Sequence, residues 1–123
     1  MQINISYQNR KDIFNVEQYC KDENINLEEV RELLCYNNQL TELNGLDKLV
    51  NLRYLYCYQN KIKALNGLDK LVNLEVLYCY HNKLTELKLN KLTNLRYLYC
   101  YQNKMIKLRG LFDKLVNLKE LKK

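Results

Sequence analysis

The sequence of 123 residues has no proline, no tryptophan, three glycines, two phenylalanines and one histidine. A sandwich or barrel of short antiparallel strands needs turn residues about every 8–12 positions, and a chain this poor in Pro and Gly does not supply them. No apolar run approaches the roughly 18 residues of a membrane-spanning helix. Met1 to Arg10 lacks the basic start and apolar core of a secretory signal. With cysteines expected to stay reduced, these absences predict a cytoplasmic chain with no membrane partner. No C-x-x-C occurs, and His81 alone completes no zinc or thioredoxin motif. Neither G-x-x-x-x-G-K-[ST] nor G-x-G-x-x-G is present, so the glycines build no phosphate loop. No metal, cofactor or small-molecule substrate is expected, and no acid, base and nucleophile set supports an enzyme.

What is present is lopsided. The chain is 47% hydrophobic and 28% charged, a globular composition, and carries eleven tyrosines and a net charge of +6. Its five cysteines are an odd number, so they cannot all pair within one chain. Cys35, Cys57, Cys79 and Cys100 fall 22, 22 and 21 residues apart. A fixed period of that size marks a repeat architecture.

Aligned on those cysteines, four segments read VRELLCYNNQLTEL (30–43), LRYLYCYQNKIKAL (52–65), LEVLYCYHNKLTEL (74–87) and LRYLYCYQNKMIKL (95–108). They share L-x-x-L-x-C-x-x-N-x-L-x-x-L, with Val30, Ile62 and Met105 as variants. Linkers such as NGLDKLVN (44–51 and 66–73) separate them. Apolar residues around Leu55 and Cys57 alternate with period two, a strand signal. Leu46 and Leu49 are three apart, which suits a short 3₁₀ turn. One such unit cannot bury its own leucines, whereas stacked neighbours can.

This pattern resembles the leucine-rich repeat family, in its 22-residue class, like the repeats of internalins and of a protein-phosphatase regulatory subunit. The resemblance implies an α/β solenoid: a right-handed superhelix with a curved parallel β-sheet on the concave side and short helical or 3₁₀ turns on the convex side. It implies binding as the function. The expected organisation is an N-terminal helical cap over 1–29, four repeats over 30–115 (about 30–51, 52–73, 74–94 and 95–117), and a partial fifth repeat or C-terminal cap over 116–123. Ile13, Val16 and Cys20 are at helical spacing, which predicts a helix near 10–22 with Asn9 or Asp12 as N-cap. The end of the chain fits either a strand or a helix.

Asn38, Asn60, Asn82 and Asn103 fall where the chain leaves each strand, and their amides can satisfy backbone groups at the turn. Cys35, Cys57, Cys79 and Cys100 alternate inward and are expected as a ladder of small buried hydrophobes. Parallel side chains on parallel strands point the same way, which argues against disulfides. Gly45, Gly67 and Gly110 follow a break and predict a backbone angle that a Cβ would penalise.

Positions three, five, seven and eight of each repeat point to the concave side. Position three holds Glu32, Tyr54, Val76 and Tyr97, and position five holds Leu34, Tyr56, Tyr78 and Tyr99. Position seven holds Tyr36, Tyr58, Tyr80 and Tyr101, and position eight Asn37, Gln59, His81 and Gln102. Nine of the eleven tyrosines thus share one face. Gln39, Lys61, Lys83 and Lys104 run beside them at position ten.

A dense tyrosine sheet predicts a protein-binding scaffold, since Tyr offers rigid contact area with a polar tip. Stacked Tyr columns also stabilise a sheet by cross-strand contacts, and duplication would copy them. Two other readings follow from the same features. The aromatic face and the unfinished last repeat predict a self-associating, homodimeric repeat protein. Lysines beside aromatics predict a weak nucleic-acid or polyanion binder.

Overall fold

The computed structural model describes residues 1–108 and 110–123. In chain order its strands are β1 (Gln2–Asn4), β2 (Lys11–Asn15), β3 (Glu32–Leu34), β4 (Gln39–Asn44), β5 (Tyr54–Tyr56), β6 (Val76–Tyr78), β7 (Tyr97–Tyr99) and β8 (Glu120–Lys122), with one α-helix, α1 (Val16–Asp22). Six of the strands form one parallel sheet in the order β1-β3-β5-β6-β7-β8, and β2 pairs with β4 in a second, two-stranded sheet. Short 3₁₀ turns at Leu27–Glu29, Leu46–Lys48 and Leu68–Lys70 lie in the linkers. This is the leucine-rich-repeat solenoid.

The repeat's fourth position sets the register. Ile3, Leu33, Leu55, Leu77, Leu98 and Leu121 lie side by side across the sheet. All are buried except Leu121, which is half-buried. Burying a side chain of this size contributes about 1.5–3 kcal/mol relative to exposure. Two residues on, Ile5, Cys35, Cys57, Cys79 and Cys100 form a second buried row, and all five cysteines are free thiols. Burial pushes the Cys35 and Cys79 thiols well above their ordinary value and Cys57 up to about 12. These thiols stay protonated at neutral pH and act as packing.

The asparagine ladder links neighbouring coils. Asn60 Nδ2 donates to the carbonyls of Cys35 (3.0 Å) and Cys57 (3.1 Å), and its Oδ1 accepts from the Leu40 amide at 3.1 Å. Asn82 makes the same set one coil later, with Cys57, Cys79 and Ile62. A second ladder runs at the other end of the strands. Asn51, Asn73, Asn94 and Asn117 donate to the carbonyls of Glu28, Val50, Val72 and Thr93, each one coil back. Both rows satisfy turn carbonyls that repeat stacking would otherwise leave unpaired.

The N-terminal segment differs from the expectation of a helical cap. Its first strand β1 extends the sheet as an extra coil, with Ile5 continuing the cysteine row and Tyr7 at the register of Asn37. Gln8 stands where the ladder asparagine would be, and its backbone N–H donates to Asn38 Oδ1 at 3.1 Å. The helix starts at Val16 rather than near 10, because β2 occupies Lys11–Asn15 beside β4. Its N-cap is Asn15, whose Oδ1 accepts from the Gln18 amide at 3.0 Å, and neither Asn9 nor Asp12. Val16 and Cys20 face the core. At the other end, Glu120–Lys122 is a strand paired with β7 and not a helix.

Candidate functional site

Each inward leucine forces its neighbours outward, because successive side chains of a strand alternate between faces. The tyrosines at positions five and seven therefore share the face opposite the core, and adjacent strands bring equivalent rings together. Tyr36, Tyr58, Tyr80 and Tyr101 form one column, with successive ring centroids 4.5, 4.5 and 4.7 Å apart and planes within 9° of parallel. In the second column Tyr78 and Tyr99 stack at 4.2 Å and 3°, while Tyr56 meets Tyr78 edge-on at 5.1 Å. The columns lean on one another through Tyr80, 6.4 Å from both Tyr78 and Tyr99. A shallow groove between them is lined by Leu34, Tyr36, Tyr56, Tyr58 and Tyr78.

The ends of both columns are finished by other groups. Tyr7 packs edge-on against Tyr36 at 5.6 Å, and Lys122 Nζ lies 4.6 Å from the centre of the Tyr99 ring. The Tyr99 hydroxyl donates to the Glu120 carboxylate. Tyr54 and Tyr97 do not join a column, because Val76 occupies the strand between them. Burial by the neighbouring rings raises the hydroxyl pKa of Tyr56, Tyr58, Tyr78 and Tyr80. These four phenols stay neutral and can both donate and accept.

Position eight is corrected by the structure. Asn37, Gln59, His81 and Gln102 have φ of 53–55°, and Tyr7 has 57°. These residues make the left-handed turn that leaves the strand, so Gln59, His81 and Gln102 stand exposed at the rim and are not on the pleated face. His81 still touches the tyrosines, edge-on to Tyr80 at 5.6 Å and to Tyr101 at 5.8 Å. Lys61, Lys83 and Lys104 are exposed just beyond that turn and line one border of the face.

The opposite border holds groups that position-by-position reading of the concave strand overlooked. Position two carries Arg53, Glu75, Arg96 and Lys119 in successive repeats, around a cleft of about 490 Å³. Glu75 lies between two arginines: Arg53 Nε is 3.7 Å from Oε2 and Arg96 Nη1 is 3.7 Å from Oε1. The signal was in the aligned segments, which read R, R, E, R at that position. Among the described residues no group of three or more His, Cys, Asp or Glu side chains is placed to hold a metal. No helix among them is long and apolar enough to cross a membrane.

Residues 28–70 and 72–111 each match the family described as leucine-rich repeats in two copies. The chain belongs to the leucine-rich repeat family. It is similar to the solved structure of internalin C2 from Listeria monocytogenes, with 27% identity and a TM-score of 0.72 over 76% of this chain and 42% of that one. The internalin inlF of the same species aligns at 26% identity and a TM-score of 0.70, over 78% of this chain and 29% of that one. A leucine-rich-repeat protein of Leptospira interrogans aligns at 29% identity and 0.71, over 80% and 27%. The chain thus spans less than half the length of each of these structures. Among curated proteins none matches the chain. Leucine-rich repeats generally act as protein-interaction scaffolds.

Proposed function

We propose that this leucine-rich-repeat chain is a protein-binding module whose contact surface is the tyrosine face. The observation that carries the reading is the two columns of rings held side by side on the face opposite the core. Tyrosine at this density gives a rigid surface that loses little side-chain entropy on binding, since each ring is already fixed by its stacked neighbours. Stacking also stabilises the sheet, and the two roles are compatible: rings that order each other are preorganised for a partner.

The same geometry weighs against a nucleic-acid reading. Base stacking needs free ring faces, and within each stack those faces are taken by the next tyrosine. Self-association is favoured by one observation, the exposed Ile106 and Val116 toward the end of the chain. Light scattering over a tenfold concentration range tests it, and a constant monomer mass overturns it.

The test of the main reading uses immobilised protein and the triple variant Tyr56→Ser, Tyr78→Ser, Tyr99→Ser, with circular dichroism to establish that the variant folds. A partner retained by the unmodified protein should be released by this variant and kept by the convex-side control Lys48→Glu, Lys70→Glu. Equal retention by the folded triple variant overturns the proposal.

A further inference from the structure

The concave face carries basic groups on both borders, and one of them already holds a carboxylate. The cleft at position two is lined by Arg53, Arg96 and Lys119 and by a single acid, Glu75, so three positive charges share it with one negative. The two arginine–glutamate contacts, both 3.7 Å, are longer than a direct hydrogen bond. The Arg53 and Arg96 side chains remain 56% and 43% exposed. Each guanidinium has five N–H donors in a planar fork that suits carboxylates, so most of that capacity is open. Across the tyrosines, Lys61, Lys83 and Lys104 make the second basic border and are exposed. Between the borders the rings offer hydroxyls and ring edges, the electropositive part of an aromatic group.

We infer that the partner presents an acidic, extended protein segment, and that Arg53, Arg96 and Lys119 are its carboxylate-binding residues. The inference rests on the concave face being the binding surface, and it names the chemistry of the partner. Glu75 shows the kind of group the arginines accept, and it competes with the incoming one. Arg53 and Arg96 precede β5 and β7, which lie two strands apart, with β6 between. Strands of a sheet are about 4.8 Å apart, so the two guanidinium stems are separated by about 10 Å. An extended chain advances about 3.3 Å per residue, which places acids three residues apart over the two arginines. The segment then runs along the solenoid, across the strands, following the position-two row toward Lys119.

The probe is a fluorescent peptide of about fifteen residues built from Glu-Ser-Ser repeats, compared with a Lys-Ser-Ser peptide and with single-stranded oligothymidylate. The unmodified protein should bind the acidic peptide and not the basic one. The double variant Arg53→Gln, Arg96→Gln should weaken binding about tenfold, as two charge pairs are lost. Glu75→Gln should tighten it about threefold by removing the competing carboxylate, a gain that a merely structural Glu75 would not give. No binding of the acidic peptide, no change in either variant, or oligothymidylate binding as tightly as the peptide would each overturn the inference. The triple tyrosine variant separates the two readings. If it binds the peptide normally while the arginine variant fails, the cleft stands and the face reading falls. If it fails while the arginine variant binds normally, the face stands and the acidic-partner inference falls.

Discussion

Replacing Asn60 by alanine should cost this fold far more than the loss of an average polar side chain. Asn60 is 9% exposed, and its amide joins two coils. The Leu40 amide has Asn60 Oδ1 as its acceptor at 3.1 Å, and alanine leaves that buried N–H without it. An orphaned buried donor costs about 1–3 kcal/mol. The carbonyls of Cys35 and Cys57 also lose a donor, but each keeps one, from Asn38 at 3.1 Å and from Asn82 at 2.9 Å. Those two bonds are worth about 1 kcal/mol each. The expected loss is therefore about 3–5 kcal/mol, a large share of the roughly 5–15 kcal/mol that holds a domain folded. Asn60→Asp should be at least as damaging, because a carboxylate oxygen would face the two carbonyl oxygens that now receive N–H groups. Urea denaturation followed by far-UV circular dichroism reads both. An Asn60→Ala variant within about 0.5 kcal/mol of the unmodified protein would refute the claim that the ladder satisfies the turns.

Three further outcomes follow from particular residues. Gly67→Ala should destabilise more than Gly110→Ala: both have positive φ, but a Cβ at Gly67 would lie 2.8 Å from the Asp47 nitrogen, whereas at Gly110 the nearest atom is Asp113 Oδ2 at 3.6 Å. Equal losses in thermal denaturation would contradict the close coil contact. Stability should be flat from neutral pH to about 9 and fall above it, because burial holds the Cys57 thiol near 12 while the unfolded thiol ionises near 9.0. Raised in the folded state, this group gives stability that is complete below 9 and lost up to about 12, at about 1.4 kcal/mol per pH unit; Cys57→Ala should show a shallower fall in a pH series of melting temperatures, and an unchanged slope would count against it. Val76→Tyr should connect Tyr54 to Tyr97 and raise stability by about 0.5–1 kcal/mol in urea titration, with no gain arguing that the columns contribute nothing to the sheet.

The repeats from Val30 onward were legible because four copies keep the same residues at the same spacing, and each of those residues has one physical task. Leucine fills the core and asparagine serves the turn, while glycine takes a left-handed angle in three of the four linkers, at Gly45, Gly67 and Gly110. The first coil was not legible. Ile3 to Leu33 is a span of thirty residues, Ile5 replaces the cysteine and Gln8 the asparagine, so neither period nor signature survives. The one-residue irregularity between Asp12 and Ile13 further hides the pairing of β2 with β4. At the candidate site, period-two alternation placed the tyrosines on one face but could not reveal ring orientation, which depends on side-chain torsions in neighbouring strands. Alternation also failed at position eight, where Gln59, His81 and Gln102 leave the extended conformation that the argument assumed. The arginines at position two were visible as letters, yet their convergence on Glu75 required the register of three adjacent strands.

The most direct test of the binding face is a titration of isotope-labelled protein with the Glu-Ser-Ser peptide, following each backbone amide by nuclear magnetic resonance. Shifts confined to β5, β6 and β7 and to the arginines and lysines bordering them are the predicted result. Shifts centred on the convex linkers at 44–51 and 66–73, with the tyrosine amides unmoved, would contradict it.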